Sequence, residues 1–203
     1  ANNTTQMLGI VWDADVTHKL FYALLDREGR WKYADSMLAA HRYVMDRKDR
    51  QALGRKGAGG KEKVPVNLIY GTAFHGGNRK NEVHPHLHSF VSLHGADPAS
   101  RTERSLHNVF RQFHLEQKND SKIFEIVLGN EIEQRLGVRC DLVRGKCVIA
   151  GIDREEAKAL EHGDGVPRDE AAALGLSDLH EVLPRHLQRG VHRLLRRGDR
   201  LLR

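Results

Sequence analysis

The spacing of apolar and polar positions changes several times along the chain, and each change marks an element. "MLGIVWDAD", residues 7–15, is short and carries Ile, Val and Trp, so it reads as a strand. The following "VTHKLFYALLD" reads as a helix broken at Gly29, after which "RWKYADSMLAAHRYVMDRKDRQAL" resumes with helix-favouring residues. "GRKGAGGKEK" is a Gly/Lys-rich loop, expected to be mobile. It is no phosphate-binding loop, because no Ser or Thr follows Lys61 and no strand leads into it. Pro65 opens the strand "VNLIYGTAFH", and "VHPHLHSFVSLHG" follows a turn-like "GGNRKN", so the two predict an antiparallel hairpin.

Downstream, Ile123, Phe124, Val127, Leu128, Ile132 and Leu136 form a helical stripe. Asp120 or Ser121 is expected to cap that helix and Gly137 to end it. "VRCDLVRGKCVIAG" reads as a hairpin turning at Arg144-Gly145. "IDREEAKALEHG" reads as a short helix with Asp153 at its cap and Glu156 in the capping-box position. The mixture predicts an α+β fold, an antiparallel sheet with flanking helices.

Composition narrows the class. With 203 residues, 39% hydrophobic and 30% charged, the chain suits one domain with an appendage. No apolar run approaches a membrane span and no signal peptide is visible, so a cytoplasmic protein with no membrane partner is expected. Cys140 and Cys147 are expected to be reduced thiols. The net charge of +6 permits an anionic partner. Residues 184–203 carry seven arginines against one aspartate, so the rest is nearly neutral. We expect two segments: a domain over 1–165 and a helical, Arg-rich tail over 166–203. The tail is either a solvated amphipathic helix or a phosphate-contacting arm.

The chemistry concentrates in "NEVHPHLHSF". His84, His86 and His88 alternate, so on a strand they share one face. His75 ends the preceding strand, eleven residues before His86. If the strands pair, three imidazoles from two strands surround one side of a divalent cation and leave the other open. Such a site suits Lewis-acid activation of a phosphodiester. The bland reading is a polar strand face, since HxH arises often by chance.

"FH", ten residues, then "HLH" on the next strand resembles the HUH endonucleases, and among them the TrwC/TraI-type (MobF) conjugative relaxases. "VNLIYGTAFH" resembles their "GNLV…FRH" strand and "HPHLHSFVSL" their "PQLHTHAVV" strand. The Gly-rich loop and "EIEQRLGVRCDLVRGKCVIAGIDREEAKAL" follow the family order, over about residues 8 to 162. The resemblance implies the palm-like sheet of these relaxases and one divalent ion (Mg, Mn or Zn) on His75, His86 and His88. It also implies a tyrosine that attacks the scissile phosphate and retains a 5′-phosphotyrosine. A rival register sets "PHLHSF" over "PQLHTH", making His88 the first ligand of its strand and placing Phe90 where the second belongs. The ungapped register keeps all three ligands, and His84 then supports them or faces DNA.

In the family the tyrosines stand near the N-terminus, upstream of the matched region. The expectation is therefore that the catalytic segment is missing from this sequence, with Tyr33 and Tyr43 as weak candidates. Asp13 and Asp15 are imperfect substitutes for the acid that assists the tyrosine. Arg55, Lys56 and Lys61 of the loop and Arg193, Arg196 and Arg197 of the tail are expected to contact DNA. The implied function is metal-dependent nicking and strand transfer of single-stranded DNA in plasmid mobilisation, alongside other conjugation proteins. The alternative is a non-catalytic metal- and DNA-binding module derived from a relaxase. A rolling-circle initiator is disfavoured because no tyrosine follows Tyr70. A closed structural zinc site would favour thiolates, and Cys140 and Cys147 lie far along the chain.

Overall fold

The computed structural model describes residues 7–78, 83–107, 109–155 and 157–158. The strand β1 (Met7–Asp13) leads into the helices α1 (Val16–Leu24) and α2 (Arg27–Asp49). A hairpin follows, β2 (Leu53–Lys56) and β3 (Glu62–Pro65), around a single 3-10 turn at Ala58–Gly60. The long strands β4 (Asn67–Gly77) and β5 (Val83–Ala96) come next, then β6 (Glu103–Ser105). The helices α3 (Val109–Leu115) and α4 (Gln117–Leu136) precede a last hairpin, β7 (Cys140–Val143) and β8 (Lys146–Ile149).

The principal sheet has β5 at its centre, antiparallel to β1 on one side and to β4 on the other; β6 extends the β1 side at the far end of β5. This is the predicted α+β arrangement. Period-two alternation divides β5 between two environments. Leu87, Ser89 and Val91 are buried on the helix side, while His84, His86, His88 and Phe90 project from the other face. Leu87 joins Trp12, Phe21, Tyr33, Met37, Phe124 and Leu128 in the larger core. Val91 joins Met45, Val66, Leu106 and Phe113 in a second cluster beneath the far end. The helices therefore clamp one face of the sheet. Among the described residues, no helix is long and apolar enough to cross a membrane.

Three local expectations change. Gly29 does not break the helices. The break falls at Leu25 and Asp26, where the Asp26 carboxylate accepts from the Gly29 amide at 2.8 Å and so caps α2. "GRKGAGGKEK" is not an open loop. Gly57, Gly59 and Gly60 adopt positive φ and close β2 onto β3. Asp120 does not cap α4, which starts a turn earlier at Gln117; Asp120 is buried and pairs with Lys48 Nζ at 2.7 Å.

Other expectations match. Gly137 ends α4 in the left-handed conformation. Arg144 and Gly145 both take positive φ at the β7–β8 turn, as a two-residue hairpin loop of the primed type requires. Asp153 Oδ1 accepts from the Glu155 amide at 2.9 Å. Glu156, Arg193, Arg196, Arg197 and the Arg-rich tail lie outside the described residues. Cys140 and Cys147 are free thiols beside Gly129.

Candidate metal centre on the open face of the sheet

Pairing of β4 with β5 sets His75 directly opposite His86 and Ala73 opposite His88, while β1 sets Asp13 opposite His86 and Val11 opposite His88. Residues opposite one another share a face, so the histidines gather by register alone. His75 and His86 stack with centroids 5.3 Å apart, and His88 lies 5.0 Å from His75 and 4.8 Å from His86. His84 adds a fourth ring, 4.9 Å from His86.

The hydrogen bonds fix which nitrogens are available. His86 Nδ1 lies 2.7 Å from the His84 carbonyl, which can only accept, so Nδ1 carries the proton and the Nε2 lone pair faces the cluster. His88 Nε2 lies 3.0 Å from His86 Nε2 and therefore donates to it. The two nitrogens here share a proton rather than aim at a common point. Consistently, among the described residues no three His, Cys, Asp or Glu side chains are already arranged to hold an ion. A tautomer switch at His88 frees both lone pairs with no change of backbone. Desolvation lowers the His88 pKa, and the neighbouring His86 and His75 lower it further, which favours the neutral ring that a cation needs.

Behind the site, Trp12 Nε1–H donates to Ser89 Oγ at 3.1 Å, and Ser89 Oγ lies 2.7 Å from His41 Nε2. This buried chain ties β1, β5 and α2 together between His88 and Phe90. Burial pushes the His41 pKa down to about 4, with Arg42 adding to the effect, so the ring stays neutral and can accept from the serine hydroxyl.

The acidic neighbours divide their work. Asp13 Oδ1 lies 3.1 Å from His84 Nε2 at the edge of the cluster. Asp15 is buried, accepts from the Thr17 amide at the start of α1 and pairs with Arg154 at 2.9 Å. Asp13 thus belongs to the candidate site and Asp15 to the scaffold.

The tyrosine candidates fall elsewhere. Tyr33 is fully buried among the helices, its hydroxyl 2.9 Å from His18 Nδ1, and burial raises its pKa well above the ordinary range. Tyr43 is exposed but stands on α2, in the layer behind the sheet. Tyr22 packs edge-on to Tyr33, and Tyr70 sits edge-on to His41, both on the helix side. None of the four tyrosines of this sequence faces the histidines. Tyr33 and Tyr43 therefore both stand on α2, on the helix side of the sheet.

The hairpin presents Arg55 opposite Lys63 and Lys56 opposite Glu62, with Lys61 exposed at the turn. Lys56 Nζ is partnered by Glu62 at 3.1 Å.

A family model described as TrwC relaxase matches residues 18–160, more than two thirds of the chain. The chain belongs to the TrwC relaxase family. Solved TrwC relaxases share its fold. Conjugative relaxase TrwC in complex with mutant oriT DNA superposes with a TM-score of 0.65 at 17% identity, over 92% of this chain and 65% of that one. The metal-free complex with oriT DNA gives 0.65 and 17%, over 94% and 68%. The metal-bound complex gives 0.65 and 16%, over 94% and 66%. The chain thus spans about two thirds of the length of these TrwC structures. No curated protein sequence matches it.

Proposed function

We propose that this TrwC-family chain binds single-stranded DNA across the open sheet face and holds the phosphate to be nicked over His75, His86 and His88. The observation that carries this reading is the convergence of three imidazoles from two paired strands on the sheet face opposite the helices. The donor set fits a divalent ion: three imidazoles, one of them oriented by a carbonyl behind it. Bound there, Mg, Mn or Zn would supply Lewis acidity to a non-bridging phosphate oxygen. Solved TrwC complexes with oriT DNA, in metal-bound and metal-free forms, support the reading.

The remaining chemistry belongs to the chain itself. His84 steadies His86 through its carbonyl and carries Asp13 at the rim, where the carboxylate can take up a proton. Arg55 and Lys61 on the hairpin add backbone contacts to DNA. The Arg-rich tail over 166–203 adds others, as a segment separate from the sheet domain of 1–165. The setting is plasmid mobilisation in the cytoplasm.

A second reading is favoured by the tyrosines. Because none of the four faces the histidines, the sheet domain can act as a metal- and DNA-binding module without a phenol nucleophile of its own. One experiment separates the two. The chain is incubated with Mn and a randomised single-stranded oligonucleotide pool, and protein-linked DNA is sought by mass spectrometry. A 5′-phosphotyrosyl adduct establishes nicking, binding without an adduct supports the module, and no metal-stimulated binding contradicts both.

A further inference from the structure

Two residues beyond His88 on the same face of β5 stands Phe90, 48% exposed despite its central strand. Its partners in register are Gly9 on β1 and Gly71 on β4. Both glycines occupy the interior of a strand, where glycine weakens the sheet and needs a reason. The fold supplies none. Neither has positive φ. A Cβ built at either meets nothing within 4 Å, so no neighbour forces the small residue. The same open space shows that the Phe90 ring lies over neither glycine, which removes shielding of bare backbone as an explanation. What remains is an exposed aromatic ring with a cleared flank on each side.

The ring lies nearly parallel to that of His88, 12° from it with centroids 6.4 Å apart. The cleared platform is thus continuous with the histidine cluster. Met7 and Val11 on β1 and Ile69 on β4 are also exposed.

Resting on the proposed function above, we propose that Phe90 is the stacking platform for the base adjoining the phosphate held over His75, His86 and His88. Gly9 and Gly71 let the nucleotide lie flat on the sheet. The occupant is a nucleobase, because the platform offers a π-face and joins directly onto the proposed phosphate site in a chain of net charge +6. Phe90 is therefore a positioning residue: stacking sets where the next phosphate falls. The contact uses a face common to every base, so it is tolerant of sequence.

The test uses two single-stranded ligands of equal length and charge, a 12-nucleotide oligothymidylate and its fully abasic counterpart, each titrated in Mn. The parent should prefer the oligothymidylate. Phe90→Ala should weaken oligothymidylate binding between about fivefold and 150-fold, the range one base–aromatic stack carries, and leave the abasic ligand unaffected. Phe90→Trp should retain the preference. Gly71→Leu crowds the flank without a clash inside the fold, and should remove the preference with the melting temperature held. Equal affinity of the parent for both ligands, or equal loss of both in Phe90→Ala, overturns the platform. The underlying reading fails separately: it is overturned if His86→Ala/His88→Ala binds the abasic ligand as tightly as the parent does.

Discussion

Acidification should destabilise the fold through His18, and the size of the effect follows from its surroundings. The ring is fully buried on α1, between the Tyr33 hydroxyl and the Cys147 carbonyl, each at 2.9 Å. The carbonyl can only accept, so Nε2 carries the proton and Nδ1 accepts from Tyr33. Both partners are satisfied by the neutral ring. Desolvation pulls the pKa down to about 4, against a smaller opposing effect from the Cys147 carbonyl. The unfolded chain takes a proton near the ordinary value of 6.5. Stability is therefore complete above that pH, falls as the unfolded state binds the proton, and levels out below about 4. Between pH 7.5 and 5.0 this histidine alone costs about 2 kcal/mol, a sizeable part of a domain's usual 5–15 kcal/mol, roughly. Urea unfolding of the parent and of His18→Gln at both pH values isolates the effect, because every other titrating group cancels in the difference. The variant should lose about 2 kcal/mol less than the parent on acidification. An identical pH response in the two proteins refutes the argument.

Two further predictions concern charge. Lys48 is buried and reaches Asp120, Glu116 and the Gln112 carbonyl, each at 2.7 Å. Lys48→Ala should cost about 3–5 kcal/mol in urea unfolding, since it strands a buried carboxylate. Burial already raises the Asp120 pKa, so that cost should shrink as pH falls and the carboxyl takes its proton. On the hairpin, Arg55→Ala and Lys61→Ala should each reduce the salt slope of DNA binding by about one, read by fluorescence anisotropy across ionic strengths. Lys56→Ala should change it less, because Glu62 partners that lysine.

The parts legible in the sequence are those fixed over short separations. Alternation put His84, His86 and His88 on one face, and the eleven residues from His75 to His86 let a single hairpin bring the two strands together. Gly137 and Arg144-Gly145 were readable because positive φ has few tolerant residues. Gly29 misled because a glycine inside a first turn resembles a breaker, whereas the Asp26 side chain three residues earlier does the capping. Asp120 resembled a cap because its partner, Lys48, lies far away in sequence. Likewise, Phe90 between Gly9 and Gly71 is visible only once the register of three strands is known. No local pattern separates the front of the sheet, where the histidines stand, from the back, which holds Tyr22, Tyr33 and Tyr70.

Metal titration tests the central claim most directly. Calorimetry with Mn at pH 7.5 should show one ion per chain for the parent and none for His86→Ala/His88→Ala. Parent affinity should fall on acidification, as protons compete for the imidazoles. Equal binding by the double variant would contradict the assignment of this face as the metal centre.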